Sequence, residues 1–488
     1  MKLLMFILGG FLIFNAFSVD TFAASRKKKE SIDELSRDAY IWGYPAVYLK
    51  HAKEAMLSKT KNPQDAINHF FHSHKVPDPF LGHFVSVHPE NLYSWAWVDL
   101  SKEPLMMTHP QVGDRYYSVQ FVDAFSNVFH VISNDSHGDK PGLFAITPPG
   151  WRGSLPEGVI QIRSSTQEIL VLSQTFVRDN KEAARIAKLT SQRHLIPLSS
   201  WNKGIQVDGV QQQYPEKPLK INRNLAALGL SFYKELHEVI AKNPLPTKAD
   251  AQELDRFKPL GLNDQTALQT FMGLQENTKS MERGIFEGER EIQSRLATGF
   301  GMKINGWAYE MKAPPFTEDF LLRASVSQKN LFSVPADETV QMSLDVDSEA
   351  RQLFSSYRYV IHFEKEDFPP SQNMWSLRVH EMKSRNSEDV PRPVSFINDR
   401  ISRLKYNLDG SVDILLSHEK PAESLRSNWL QLSQTSNFYV VLTMFNPNNT
   451  VLNRKYIAPS LTRIDENRPP KQRITHTMMA RQEEPVSK

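Results

Sequence analysis

A chain of 488 residues is long enough for two to three domains. At 40% hydrophobic, with 28 Phe, 14 Tyr and 8 Trp, it can fill sizeable cores. The net charge, 58 − 55 = +3, is too small and too dispersed for a nucleic-acid partner, and the complete absence of cysteine excludes disulfides, thiolate metal sites and cysteine nucleophiles.

Residues 1–25 have the layout of a secretory signal peptide: Lys2, an apolar run from Leu3 to Phe17, then the cleavage triplet Thr21-Phe22-Ala23. This predicts a signal peptide over 1–24, cleavage after Ala23, a periplasmic or secreted location, and no stable membrane span once it is removed. The basic run Arg26–Lys29 opposes translocation and keeps an uncleaved anchor as the alternative. Ser31 and Glu34 form a capping box opening a helix with Leu35, Ala39 and Trp42 on one stripe. Gly43-Tyr44-Pro45 is expected to interrupt it, with a second helix from Pro45 to Leu57.

From about 84 to 178 the period becomes two. Six short runs ("LYSWAWVDL", "PLMMTH", "RYYSVQFVDAF", "GLFAIT", "VIQIRS", "EILVLSQTFV") predict an antiparallel sandwich or barrel. Helical spacing returns at 180–190, 223–242 and about 264–279, followed by polar, charged sequence to about 297. Strands resume with "SYRYVIHFEK", "MWSLRVHEM" and "NFYVVLTMF", and Asp409-Gly410 in "RLKYNLDGSVDILLSH" is a two-residue hairpin signal. After Ile464 the composition predicts a mobile tail.

The blocks "NHFFHSHKVPDPF", "LYSWAWVDLSKEP", "GDRYYSVQFVDAFSNVF", "PPGWRGSLPEGV" and "LIPLSSW" resemble domain of unknown function 1254. "INGWAYEM", "FLLRA", "NMWSLRVHEM", "INDRISRLKYNLDGSVDILLSHEKP", "NWL" and "YIAPSLTRI" resemble domain of unknown function 1214, its usual C-terminal partner. The resemblance implies a bacterial, often exported protein and no particular activity. The expected fold is α+β, mainly β with helical segments: two antiparallel β-sandwich or jelly-roll-like domains joined by a helical middle. The expected domains are 31–205, a helical connection over 206–300, a C-terminal sandwich over 301–465, and a tail over 466–488. Where that family commonly reads N-x-D-T-L-Y, this chain has His88-Pro89-Glu90-Asn91-Leu92-Tyr93, keeping the acid as Glu90; near the C-terminus Thr443 falls where the family tends to have arginine.

Glu90, next to a proline that belongs at a strand start or edge, is the candidate acid or base. Arg115 and Tyr117 are the candidate groups to orient a substrate. The competing reading is a structural Glu90–Arg115 bridge across strands. His72, His88, Asn91 and Asp123 complete the candidate binding residues. His72 is picked from the histidines at 69, 72, 74, 83 and 88 because it fits the family's N-x-F-x-H pattern. No HExxH or other fixed-spacing metal signature occurs, so neither a metal nor a cofactor is expected. Tyr93, Trp95 and Trp97 share a face that reads as core before it reads as a sugar-stacking stripe. Asp345 and Asp347 fall short of a calcium site, and Asn398-Asp399-Arg400 reads as a turn. Three classes remain: an envelope enzyme acting on a small polar or carbohydrate-like substrate, a non-catalytic binding or scaffold protein, and a secreted effector.

Overall fold

The computed structural model describes residues 30–76, 78, 80–81, 88–205, 214–215, 219, 221–299, 301–310, 318–331, 334–382 and 393–464. The leader-like segment, His83 and the tail after Ile464 lie outside the described residues. From Ala39 to Leu49 every residue is buried, so the helix there is covered all round. α1 (Ile32–Leu57) runs straight through Pro45, which corrects the expected break at 43–45. A proline inside a helix costs about 3 kcal/mol. Full burial of Tyr40, Trp42, Tyr44, Val47 and Tyr48, each worth about 1.5–3 kcal/mol as a large apolar side chain, outweighs that cost. The Trp42 carbonyl, three residues before Pro45, also accepts a bond from Arg323 Nη2 at 3.3 Å.

The N-terminal strands are β1 (Phe71–His72), β2 (Asn91–Asp99), β3 (Leu105–His109), β4 (Tyr117–Asp123), β5 (Val128–Ser133), β6 (Gly142–Thr147), β7 (Ile160–Arg163) and β8 (Glu168–Phe176). α2 (Asn180–Thr190), β9 (Leu195–Pro197) and the short α3 (Leu198–Asn202) follow, then α4 (Ser231–Lys242), α5 (Lys248–Arg256), α6 (Gln265–Met272) and α7 (Gln275–Thr298). The rest comprises β10 (Lys303–Ile304), β11 (Trp307–Glu310), α8 (Phe320–Lys329), β12 (Thr339–Leu344), β13 (Arg358–Phe363), β14 (Ser371–Glu381) and β15 (Pro393–Asn398). β16 (Val412–Ser417), β17 (Trp429–Gln431), β18 (Phe438–Pro447), α9 (Asn449–Leu452) and β19 (Leu461–Ile464) complete it.

These strands make two sandwiches. Sheet β1-β2-β8-β4-β5 packs on sheet β7-β6-β3-β9 through Val98, Tyr117, Val119, Phe121, Phe144 and Val171. Sheet β10-β11-β12-β18-β14-β15 packs on sheet β17-β16-β13-β19 through Val340, Ile361, Trp375, Leu377, Ile414 and Leu442. The fold is α+β, with no closed barrel among the described residues. Pairing is antiparallel except for β6–β7 and β16–β17, which are parallel. The Asp409-Gly410 turn forms, with Gly410 at φ 86°, but residues 403–407 before it are not a strand. β16 pairs instead with β13 and β17, which corrects the expected hairpin.

The helices are a covering layer as much as a connection. α1, α4, α7 and α8 pack together over the Tyr93, Trp95 and Trp97 face of β2, so that aromatic stripe is core. α8, in the C-terminal half of the chain, belongs to this layer. Arg323 from α8 pairs with Asp250 of α5 at 2.9 Å, both fully buried, and Asp250 also accepts from Trp42 Nε1. Among the described residues, no helix is long and apolar enough to cross a membrane.

Gly284 and Gly288 let α7 approach α1 closely. A Cβ on Gly284 would lie 2.6 Å from the Arg37 amide nitrogen, where the contact is backbone and cannot yield. Gly284→Ala is therefore expected to lower unfolding free energy by about 1–3 kcal/mol, against the gain of about 0.4–1 kcal/mol for Gly→Ala at an unstrained site. Denaturant unfolding monitored by tryptophan fluorescence checks the sign.

Candidate functional site at the seam between the sandwiches

β14 has one apolar and one polar side. Trp375, Leu377 and Val379 enter the C-terminal core, so Ser376, Arg378 and His380 point away from it. Thr443 on β18 and Asn398 on β15 stand opposite Ser376 and carry this polar patch across three strands. A polar sheet face normally meets water; here Ser376, Arg378, His380, Asn398 and Thr443 are all buried, against the N-terminal sandwich. Phe445 contacts the rings of His88 at 4.7 Å and Tyr116 at 4.6 Å. Ser133 Oγ donates to Glu338 at 2.7 Å, and the Tyr116 hydroxyl lies 3.4 Å from Thr339 Oγ1.

Glu90 sits in the turn just before β2 and is 1% exposed. The turn is held by Asn91 N–H donating to His88 O, His88 N–H donating to the Tyr93 hydroxyl at 3.0 Å, and Val177 N–H donating to Glu90 O at 2.8 Å. Among the described residues, neither Glu90 carboxylate oxygen has a hydrogen-bond partner. Burial raises its pKa; Arg378 opposes this most, and Ser376 and Asn398 approach without reaching hydrogen-bond geometry. Arg378 donates from Nη2 to Thr443 Oγ1 at 2.9 Å, leaving Nε and Nη1 open. Burial lowers its pKa and Glu90 opposes the fall. His88 is held well below the usual imidazole range by burial and by Arg378, so it is neutral, with Nδ1 unpartnered. Asn91 Nδ2 donates to Gln174, whose Nε2 donates to Tyr116 and Ser118; Asn91 Oδ1, Ser376 Oγ and Asn398 Nδ2 stay open. The seam thus holds an acid, a guanidinium, an imidazole and two amides with unused hydrogen-bonding capacity.

Tyr116, Phe176, Met374 and Phe445 pack together, and the first three also line a surface cleft with Asp114, Arg115, Arg178, Asn373 and Arg400.

The sequence-predicted residues divide. Glu90, His88 and Asn91 come together at the seam, but Arg115 does not meet Glu90. Arg115 donates to Val112 O, Phe176 O and Glu182 on α2, the last at 3.2 Å. Neither the proposed cleft pairing nor the proposed bridge with Glu90 forms, because Arg115 precedes β4 and Glu182 meets it first. Tyr117 faces the interior of the N-terminal sandwich and donates to Ser133 O and Gly138 O; by strand parity its neighbour Tyr116 reaches the seam. Asp123 closes the β4–β5 turn by accepting from Phe125 N, Asn127 N and Ser165 Oγ. His72 sits at β1, 2.8 Å from Ser94 Oγ. His69 contacts Ile67 O. Asp347 pairs with Arg351 at 2.7 Å, and Asn398 Oδ1 accepts from the amides of Arg400 and Ile401, as a turn requires. Among the described residues no group of three His, Asp or Glu side chains is placed to hold a metal. Arg378 and Ser376 escaped the sequence reading, while Asn398 was read there only as part of a turn and Thr443 only as a departure from the family pattern.

The fold and seam define a two-sandwich α+β protein whose candidate site draws on both halves. Residues 67–197 match Protein of unknown function (DUF1254) and residues 338–449 match Protein of unknown function (DUF1214), so both domains are found in this chain, the first N-terminal and the second C-terminal. Glu90 lies in the first matched region, and Ser376, Arg378, Asn398 and Thr443 in the second. The VPA0106 protein from Vibrio parahaemolyticus is 18% identical with a TM-score of 0.65; the match covers 89% of this chain and all of that one, and shows a shared fold. An uncharacterised protein from Burkholderia cenocepacia is 12% identical, TM-score 0.40, with 86% and 87% covered. No curated protein matches.

Glu338, beside the same seam, is pushed up to about 7 by burial, with Asp337 and Asp135 adding to the rise and Ser133 opposing it. A carboxyl whose pKa is higher folded than unfolded stays protonated in the native state while the unfolded chain ionises. Unfolding free energy is therefore expected to fall as pH rises from about 4.5 to about 7 and to level off above, by roughly 2–3 kcal/mol for this group. Glu90 acts in the same sense, so the difference between wild type and Glu338→Gln in urea unfolding at pH 5, 6, 7 and 8 isolates Glu338.

Proposed function

We propose that the protein is an enzyme that acts on a small polar or carbohydrate-like substrate at the seam, with Glu90 as the general acid or base and Arg378 as its charge partner. The observation that carries this reading is the open hydrogen-bonding capacity of two opposite, fully buried charges, Glu90 Oε1 and Oε2 and Arg378 Nε and Nη1. Buried polar groups in folded proteins are nearly always satisfied, and perturbed carboxyls with a specific charge partner concentrate at functional sites. A carboxyl whose pKa is raised by burial and restrained by a guanidinium can accept or release a proton as a general acid or base. Neutral His88 and the Asn91 carbonyl add hydrogen-bonding groups. The cleft lined by Tyr116, Phe176 and Met374 is the entry this reading requires, with those side chains swinging aside. The leader-like sequence at 1–25 supports placing this activity in the envelope or outside the cell, and mass spectrometry of the mature N-terminus tests that placement.

A second reading has its own support in the near-complete burial of Glu90 and Arg378: the pair fixes the two sandwiches to each other and does no chemistry. Glu90→Gln separates the two. In the enzymatic reading, a thermal-shift screen of small polar and carbohydrate-like compounds finds wild-type ligands that Glu90→Gln and Arg378→Met lose, with the Glu90→Gln unfolding free energy within about 1 kcal/mol of wild type, as for a net hydrogen bond. If the pair is architectural, no compound shifts the wild type and Glu90→Gln costs about 3–5 kcal/mol, as expected for a buried charge left alone.

A further inference from the structure

Arg193 follows α2 and lies between the two sheets of the N-terminal sandwich with none of its surface exposed. Its Nη1 donates to Ser173 Oγ on β8 at 3.1 Å, and its Nη2 lies 3.2 Å from His109 Nδ1 at the end of β3. A guanidinium can only donate, so His109 Nδ1 is the acceptor and the ring carries its proton on Nε2. Among the described residues that Nε2–H has no partner, nor does Arg193 Nε–H. The site therefore holds a positive charge and two unused donors. Among the described residues no carboxylate hydrogen-bonds to Arg193 or forms an ion pair with it. The ring of Phe70 lies 5.9 Å from its guanidinium carbon, a contact worth roughly 2 kcal/mol at best. Burying a charge costs several kcal/mol after relaxation, so the ring falls short of compensating it. Burial still leaves Arg193 charged at neutral pH, its pKa down only to about 10.

We propose that Arg193 and His109 form a binding site for a small inorganic anion inside the N-terminal sandwich, separate from the seam. An anion accepts from donors and neutralises the guanidinium, which is what this arrangement lacks. His72 stands beside the site with its own Nδ1 committed to Ser94, so it shapes the wall and leaves the charge to Arg193. Tyr117, whose ring packs 4.8 Å from that of His109, is likewise committed through its hydroxyl to two carbonyls. Sulfate and bromide are suitable probes, an oxyanion and a halide.

The test uses the whole mature chain. Calorimetric titration with sodium sulfate and with sodium bromide at constant ionic strength is expected to show one saturable site for at least one of them. Arg193→Met is expected to abolish that site and His109→Phe to weaken it about tenfold. Crystals grown from protein dialysed into bromide are expected to show an anomalous peak within hydrogen-bonding distance of Arg193 Nε or His109 Nε2. If Arg193→Met does not fold, the wild-type density and His109→Phe decide. Absence of both saturable binding and the anomalous peak, or equal affinity in His109→Phe and wild type, overturns the proposal.

Discussion

The arrangement of this protein turns on the alternation of one strand. Leu377 on β14 must enter the C-terminal core, and strand geometry then forces Ser376 and Arg378 to the opposite face. Once that face is covered by a second sandwich, Arg378 is buried and the covering surface has to answer its charge. Glu90 does so from the turn before β2, and both charges are desolvated in the process. Desolvation of a pair commonly costs as much as the attraction returns. The pair is thus a poor source of stability, and its persistence calls for another role, in chemistry or in fixing how the sandwiches meet. The raised pKa of Glu90 expresses the same balance: Arg378 offsets part of the cost of burying the acid and leaves the rest.

The seam follows from how the sandwiches are covered. In the N-terminal half, the second face of sheet β1-β2-β8-β4-β5 receives the aromatic helical layer near Trp95 and Trp97. Elsewhere on that face Ser118 and Gln174 meet the C-terminal sandwich through Tyr116. An apolar layer and a polar seam thus share one sheet. The strand β8 joins them, with Leu170 and Leu172 under the helices and Gln174 at the seam.

Much of the fold was legible because its core strands alternate cleanly: β4 and β8 fall inside the runs read as strands, and β2, β14 and β18 overlap theirs, extending one to three residues beyond them. What was missed has particular causes. α7 looked like polar sequence, although Met281, Ile285 and Ile292 mark its buried stripe, because glycines at 284 and 288 supply contact without hydrophobicity. α8 carries a cap at Asp319 and a buried Arg323, and its Ser-Val-Ser stretch lowers helical propensity. At the site, Glu90 was readable because a proline and a strand start isolate it. Arg378 was not, since an arginine alternating with core residues normally faces water, and only the second sandwich changes that. The Tyr116–Tyr117 dipeptide shows the limit most plainly. Adjacent residues of one type point to opposite faces, and the sequence does not say which face becomes the seam.

Among the described residues, the three fully buried arginines sort by how completely their charge is answered. Arg323 has Asp250 at 2.9 Å, the Trp42 carbonyl and the Phe320 ring, and it ties α8 to α1 and α5. Arg378 has an acid facing it, with neither partner in hydrogen-bond geometry with the other. Arg193 has a serine, a neutral histidine and an aromatic ring, and no acid. A structural charge is best placed where its counter-charge is built in, since removing either partner is then the only way to leave it exposed to the cost of burial. A binding charge has to leave something for the ligand to supply. By that criterion Arg323 belongs to the scaffold, Arg378 to the proposed site at the seam, and Arg193 to the proposed anion site, which would take its counter-charge from solution.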